Sequence, residues 1–193
     1  MADVKILAFS GSARKDSLNK KLLAVVAQGA REAGAHVTIA DLRDFPMPIY
    51  DGDLEEQSGM PERAAAFKKL MIEHHGFLIA SPEYNSSFSP LLKNTIDWAS
   101  RPAKGEAPLA AFAGKVAGLV SASAGAMGGY RGLQQVRYVL GNIRCIALPD
   151  MFALSGADQA FDAAGNLTDP KKRDLAMGVG RDVVSKVRKL SAV

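Results

Sequence analysis

The stretch that most constrains the fold of this chain is a short apolar run that leads through a polar loop into a helix. Residues 6–9 are apolar, and an amphipathic helix is predicted over residues 17–34. Unpaired N–H groups and the positive dipole end of a helix start point to one spot, which suits a phosphate. Polar side chains at this spot are those of Ser10, Ser12, Arg14 and Ser17. The stretch predicts a phosphate-binding loop, and the alternative is an ordinary strand–helix turn with Ser17 as N-cap.

Three well-known kinds of phosphate loop are excluded by the residues present. A P-loop needs a Gly-Lys pair after Gly11, and none follows at the required distance. The dinucleotide pattern GxGxxG is also missing here. A phosphatase loop needs a thiolate nucleophile, whereas the single cysteine, Cys145, lies far downstream. We therefore expect the loop to bind a phosphate that is not itself attacked, which points to the phosphate of a cofactor.

Length and composition favour one globular domain over residues 1–193. Hydrophobic residues make up 48% and charged residues 23% of the chain, which is typical of a globular protein. A chain of 193 residues is also long enough to bury a hydrophobic core. One cysteine cannot form an intramolecular disulfide, and the three histidines lack the spacing of a metal site, so no metal is expected. No signal peptide and no run of about 18 apolar residues is recognised. We expect a cytoplasmic protein that does not contact membranes.

The basic character of the chain does not indicate a nucleic-acid partner. Net charge is +4 and the isoelectric point is near 9.2, but lysine and arginine are spread along the sequence. The densest groups lie in residues 171–173 and 186–189, on the solvated face of a predicted C-terminal helix. A basic surface still attracts anionic nucleotides over long range.

Apolar runs alternate with amphipathic segments along the rest of the chain. The predicted strands cover residues 5–9, 36–42, 76–81, 115–121 and 144–148. The predicted helices cover residues 17–34, 61–75, 90–100, about 130–140 and 170–190. This alternation is typical of an α/β fold, here a doubly wound five-stranded parallel sheet with helices on both faces. Residues 150–168 show no regular pattern and are predicted as a loop.

Two apolar features leave a choice open. Segment 45–51 holds Pro46 and Pro48, which predict a stiff surface loop whose apolar residues either pack locally or form part of a pocket or partner surface. Trp98, on the helix predicted over residues 90–100, either packs in the core or meets a neighbouring subunit.

Three predicted loops follow strands one, three and four. They are the phosphate loop, the loop over residues 82–90 and the glycine-rich loop over residues 123–130. In doubly wound sheets, binding sites lie beyond the carboxyl ends of the strands. The three loops are therefore expected to meet at one edge of the sheet.

The motifs resemble those of the NADPH-dependent FMN reductase family, a flavodoxin-like group that includes bacterial quinone, chromate and azo-dye reductases. The resemblance rests on residues 11–14 with Ser17 and Asn19, on the run Pro-Glu-Tyr-Asn at 82–85, and on residues 92–98. It covers about residues 5–130 well and the remainder by architecture only. Segment 45–51 also resembles the family's loop after strand two. Thr95, where the family often has alanine, is a minor departure.

The resemblance implies a flavodoxin-like fold, bound FMN, and NADPH or NADH as co-substrate. It places the FMN phosphate on Ser12, Arg14, Ser17 and Asn19. It places the ring against Pro82, Glu83, Tyr84 and Asn85, with the segment over residues 121–129, including Ser121 and Gly125, at its other edge. Hydride from the nicotinamide passes to FMN, and electrons then pass to a quinone or similar small acceptor in a ping-pong mechanism. No side chain is assigned as catalytic, since the chemistry lies on the flavin, and Glu83 is expected to position rather than act as a base.

The resemblance also implies a homodimer or homotetramer with the flavin near the subunit interface. The helix over residues 90–101 and the loop over residues 46–50 would then meet a neighbouring subunit. Two other functions stay open at this point. One is a flavodoxin-like electron carrier, although such carriers are usually smaller and acidic. The other is an FMN-binding regulatory protein without turnover of its own.

Overall fold

Strands and helices alternate through residues 3–191, the part of the chain that the computed structural model describes. The strands are β1 (Lys5–Ser10), β2 (His36–Ala40), β3 (Gly76–Ala80), β4 (Glu83–Tyr84), β5 (Ser87–Phe88), β6 (Val116–Ala122), β7 (Ile146–Ala147) and β8 (Phe152–Leu154). The helices are α1 (Leu18–Glu32), α2 (Gly52–Ser58), α3 (Glu62–Glu73), α4 (Pro90–Ala99), α5 (Tyr130–Asn142) and α6 (Pro170–Ser191). The alternation predicted from the sequence is confirmed.

The main sheet is parallel throughout, with the strand order β2-β1-β3-β6-β7. Counted by position along the chain, this is the order 2-1-3-4-5 of flavodoxin-like sheets. The register pairs Ala8 with Leu78 and Leu78 with Gly118, so the central strands run level. The carboxyl ends of β1, β3 and β6 therefore lie side by side at one edge, and the predicted fold class is confirmed.

The edge of the sheet beside β6 differs from the prediction, because two short strands, β7 and β8, pair there with successive parts of β6. β7 pairs with Val116 and Ala117, and β8 pairs with β6 from Val120 onward. Pro149, which has no N–H to donate, stands between the two strands. The predicted single strand over residues 144–148 is therefore shorter, and the predicted loop over residues 150–168 contains β8. The sheet has six strands rather than five.

Helices cover both faces of the sheet. Ile6 and Ala8 of β1 pack in the core layer beneath α1 and α6. Leu7 and Phe9 pack in the opposite layer, which α3, α4 and α5 complete. Neighbouring residues of a strand face opposite sides, so a strand covered on both faces is apolar at almost every position.

Trp98 belongs to the core of its own chain. It is fully buried, its Nε1 donates to the Pro48 carbonyl at 2.8 Å, and the Tyr50 ring packs edge-on at 5.0 Å between centroids. Segment 45–51 and α2, a helix not predicted from the sequence, therefore form a cover over α4. Phe45 and Met47 pack against the core, whereas Ile49 is 85% exposed. The choice left open for Trp98 is settled in favour of the core.

Candidate functional site

The three segments expected to meet do form one cleft, of about 220 Å³, at the carboxyl edge of β1, β3 and β6. Among the predicted site residues, those that line it are Ser12, Arg14, Ser17, Asn19, Pro82, Glu83 and Tyr84. Leu18, Ala122, Ser123 and Ala124 complete the lining. The last three lie in the predicted segment over residues 121–129 but were not named individually, and Leu18 was not predicted. Ser10, Asn85, Ser121 and Gly125 are not in the lining.

Two hydrogen bonds anchor the loop after β1 before it enters α1. The Gly11 N–H donates to the Ala80 carbonyl at 2.9 Å, and the Ser89 hydroxyl donates to the Gly11 carbonyl at 2.6 Å. A side chain at position 11 would place its Cβ 2.9 Å from the Leu92 Cβ, so only glycine fits without a shift. The loop is thus held against α4 and presents its polar side chains to the cleft.

Ser12 and Ser17 make only long contacts within the loop. The Ser12 hydroxyl accepts from the Arg14 N–H at 3.4 Å, and the Ser17 hydroxyl, as N-cap of α1, accepts from the Lys20 N–H at 3.4 Å. Hydrogen bonds of this length are weak, so both hydroxyls can turn to a ligand at little cost. Together with the first N–H groups of α1 they could hold an anion, so this loop is a candidate anion site.

Arg14 has an exposed side chain that lines the cleft. No carboxylate of residues 3–191 lies within ion-pair distance of its guanidinium. An unpaired guanidinium at a helix N-terminus has the geometry and charge for two parallel hydrogen bonds to a phosphate. The loop therefore fits the phosphate group that the sequence predicted.

Ser10 departs from the prediction because its side chain does not reach the cleft. It is 2% exposed, and its hydroxyl has no hydrogen-bond partner within the described part of the chain. Side chains alternate along a strand, so Ser10 lies on the same face as Ala8, beneath α1.

Asn19 lines the cleft, but its side chain holds the protein backbone. Its Nδ2 donates to the Ala122 carbonyl at 2.9 Å, and its Oδ1 accepts from the Ala122 N–H at 3.0 Å. This pair ties the first turn of α1 to the end of β6 across 103 residues of sequence. Its backbone N–H lies in the first turn of α1, where N–H groups have no acceptor within the helix.

The segment after β3 is a β-hairpin rather than an open loop. β4 and β5 pair directly, and the two turn residues, Asn85 and Ser86, have φ of 51° and 67°. Pro82 is buried and Tyr84 is 48% exposed, so a proline and a tyrosine ring form one wall of the cleft. Asn85 lies at the exposed tip and outside the lining.

Glu83 connects this hairpin to α5. One carboxylate oxygen accepts from the Arg131 Nε at 3.0 Å and Nη2 at 2.7 Å, and the other accepts from the Gly132 N–H at 2.9 Å. Burial alone would raise the pKa of Glu83, but the Gly132 N–H and the Arg131 guanidinium outweigh it and hold the pKa below its ordinary value. The carboxylate is therefore ionised and fully engaged, which suits a positioning role. No pattern in the sequence links residues 83 and 131.

Ser121 and Gly125 shape the glycine-rich loop from outside the cleft. Ser121 is fully buried and its hydroxyl donates to the Gly128 carbonyl at 2.7 Å. Gly128 and Gly129 have φ of 60° and 90°, and a Cβ on Gly128 would lie 2.8 Å from the Leu154 carbonyl carbon. The Gly125 N–H donates to the Ser123 hydroxyl at 3.1 Å. These contacts present Ser123 and its neighbour Ala124 to the cleft instead.

The described residues offer neither a metal cluster nor a membrane-spanning helix. Within 3–191 no group of three histidine, cysteine, aspartate or glutamate residues could hold a metal ion. Over the same range no helix is both long and apolar enough to cross a bilayer. The lining of the cleft combines the loop that carries Arg14 with the wall of Pro82 and Tyr84, into which a flat ring that carries a phosphate could fit.

Comparison with known proteins agrees with this geometry. The sequence model described as NADPH-dependent FMN reductase matches residues 4–159. An NAD(P)H-dependent FMN reductase of Pseudomonas aeruginosa is 37% identical over 175 residues, which covers 90% of this chain and 89% of that protein. An NADPH:quinone oxidoreductase of Arabidopsis thaliana is 35% identical over 170 residues, covering 86% of this chain and 83% of that protein.

Solved structures show the same fold. FerB of Paracoccus denitrificans, a flavoenzyme NAD(P)H:acceptor oxidoreductase, aligns with a TM-score of 0.82 and 27% identity over 96% of this chain and 98% of that one. An archaeal flavodoxin aligns with a TM-score of 0.63 and 10% identity over 96% and 99% of the two chains, which is a likeness of fold alone. By sequence and fold, the chain belongs to the NADPH-dependent FMN reductase family.

Proposed function

We propose that this protein is an FMN-dependent NAD(P)H oxidoreductase that reduces quinones or similar small molecules. The observation that carries the proposal is the unpaired Arg14 at the start of α1, in a cleft whose other wall is a proline and a tyrosine ring. Two relatives quoted above are named as an FMN reductase and a quinone oxidoreductase, and both match along most of their length.

The phosphate of FMN would lie on the loop after β1. Ser12, Arg14 and Ser17 supply side-chain donors, and the first N–H groups of α1, including that of Asn19, complete the set. The ring would lie beside Pro82, Glu83 and Tyr84, with Ser123 and Ala124 opposite. Ser10, Asn85, Ser121 and Gly125 lie outside the lining and are not assigned a direct contact with FMN.

Bound FMN supplies the redox chemistry, since it accepts hydride from a nicotinamide and passes electrons to the acceptor. The residues of this chain bind and orient it. Arg14 and the α1 N-terminus balance the phosphate charge, and the β4–β5 hairpin confines the ring. Glu83 is ionised and held by three hydrogen bonds, so it neither donates nor removes a proton during the reaction.

Donor and acceptor would use the open side of this one cleft in turn, which gives a ping-pong mechanism. Steady-state rates measured with NADPH or NADH against a quinone should then yield parallel double-reciprocal lines. Intersecting lines would show a ternary complex and refute the shared site. Turnover without an added reductase also separates this enzyme from an electron carrier or a regulatory flavoprotein.

A homodimer or homotetramer and a cytoplasmic location complete the proposal. Trp98, for which an interface on α4 was one of two expectations, is buried inside the chain, as is Leu92 on the same helix. The oligomer therefore rests on the family resemblance alone. Light scattering at micromolar concentration should give a particle of at least twice 20.4 kDa. A 20 kDa particle would refute self-association.

A further inference from the structure

The Glu83 carboxylate is a buried charge at the wall of the cleft. Its side chain is 9% exposed, whereas the side chain of its partner Arg131 is 57% exposed. The contact is two-pronged, from the Arg131 Nε and Nη2 to one oxygen, and the Gly132 N–H holds the other oxygen. Removing an ionised carboxylate from water costs free energy unless the charge is paired. The hydrogen bonds from Arg131 and Gly132 therefore stabilise the ionised Glu83.

The same pair joins two segments that line or shape the cleft. Glu83 belongs to β4 of the hairpin, and Arg131 and Gly132 lie in the first turn of α5, directly after the glycine-rich loop. The packing there is close, because a Cβ on Gly132 would lie 3.2 Å from the Ser87 carbonyl oxygen and 3.3 Å from the Glu83 Cβ. A movement of Glu83 would therefore move both walls of the ring site.

We propose that Arg131 is a positioning residue that sets the redox properties of the cofactor through Glu83. It locks the hairpin to the start of α5 and cancels the negative charge of the carboxylate beside the ring. The inference rests on the proposed function, since it concerns FMN in this cleft. Nothing in the sequence motifs draws attention to position 131.

If the charge of Arg131 matters, its removal should have an effect that loss of the contact between the hairpin and α5 would not produce by itself. Reduction adds negative charge to the cofactor, and an uncompensated carboxylate in the wall of the cleft opposes this addition. At the effective dielectric constant of a protein site, one unit charge several ångströms away changes relative affinity by about tenfold. Loss of Arg131 alone should therefore weaken binding of reduced FMN relative to oxidised FMN by about that factor. Loss of both charges should restore the balance.

The test is the midpoint potential of bound FMN at pH 7 in wild type, Arg131→Met, Arg131→Lys and the double variant Arg131→Met with Glu83→Gln. Arg137→Met is the matched control, because Arg137 is an exposed arginine on the same helix, outside the cleft lining. Arg131→Met should shift the potential to lower values. Arg131→Lys and the double variant should lie near wild type, and Arg137→Met should not shift. Oxidised FMN and riboflavin should lose affinity equally in Arg131→Met, since the phosphate loop is unchanged.

Two results would overturn the inference. One is a wild-type potential in Arg131→Met, and the other is a double variant that stays at the value of Arg131→Met. The second result would mean that disturbed packing, not charge, causes the shift. Failure of the proposed function is distinguishable, because a wild-type protein that does not bind FMN, or whose FMN is not reduced by NADPH or NADH, fails before any variant is compared.

Discussion

Arg14 carries a charge that the fold itself does not use. Its side chain is exposed and pairs with no carboxylate in the described part of the chain, so its removal should leave the protein folded. A charged hydrogen bond contributes about 1.5–3 kcal/mol, which is about 10- to 150-fold in affinity. Arg14→Ala should therefore weaken FMN binding by about that factor, measured by fluorescence titration of the apoprotein. Arg14→Lys should recover only part, since an ammonium lacks the two-pronged contact.

Riboflavin, which has the ring but no phosphate, is the control for Arg14. Wild type and Arg14→Ala should bind riboflavin almost equally. An equal loss for riboflavin and FMN would show that Arg14 supports the ring or the fold rather than binding the phosphate.

The sequence predicted the location of a side chain only where a local motif determines it. The motif led to Ser12, Arg14 and Ser17, which line the cleft. It also led to Asn19, whose two polar groups are taken by Ala122, a contact that spans two distant elements and leaves no local signal. Ser10 reads as part of the same polar loop, but strand alternation turns its side chain away.

Asp41 gives a pH-dependent contribution to stability. Burial acts to raise its pKa, but hydrogen bonds from Arg43 and Lys20 outweigh burial and lower the pKa from 3.8 to about 2. A depressed acid stabilises the fold above its unfolded pKa and loses this contribution as pH falls through the folded value. Asp41→Asn should cost about 1–2 kcal/mol at pH 5, allowing for partial exposure. That gap to wild type, from urea unfolding, should shrink by about half at pH 3. A gap independent of pH would contradict the role of its charge.

Among the secondary-structure elements, the β4–β5 hairpin was not predicted because its turn residues lack the usual hairpin signal. A two-residue turn with positive φ at both positions normally has Asn-Gly, and here the residues are Asn85 and Ser86. Without the glycine the segment reads as a loop, although its strands pair. The same limit applies to β8, since a strand of three residues is too short for its period to stand out.

Ser86 adopts a left-handed conformation that glycine adopts more easily. Ser86→Gly should therefore raise the free energy of unfolding by about 0.5–1 kcal/mol. Ser86→Ala keeps the Cβ and should bring no such gain. Denaturant unfolding of the two variants gives the comparison, and equal stabilities would argue against strain at this turn.

At the scale of the whole molecule, glycines let α1 and α6 pack with their backbones in contact. A Cβ on Gly29 would lie 2.2 Å from the Met177 carbonyl oxygen, and a Cβ on Gly180 would lie 2.2 Å from the Val26 carbonyl oxygen. The sequence pattern predicted both helices, over residues 17–34 and 170–190. It did not predict that the two helices meet, because that depends on how the chain winds around the sheet.

Alanine substitutions on these helices should have opposite effects. Gly29→Ala forces a clash with backbone that cannot move aside, so it should cost at least about 3 kcal/mol or prevent folding. Gly178→Ala, on α6, meets only the Arg181 Nη2 at 3.6 Å and should gain up to about 1 kcal/mol from helix propensity. Thermal unfolding of both variants measures the difference. A stable Gly29→Ala protein would contradict the close packing of α1 on α6.

The absorption spectrum of the purified protein with FMN, recorded anaerobically before and after addition of NADPH or NADH, shows whether the cleft holds a flavin that a nicotinamide reduces. We expect a protein-bound flavin spectrum that survives gel filtration and then bleaches with at least one of the two donors. Addition of a quinone should restore the oxidised spectrum. A protein that releases all FMN on gel filtration, or a bound flavin that neither donor bleaches, would contradict the assignment of this cleft as the site of an NAD(P)H-dependent flavin reaction.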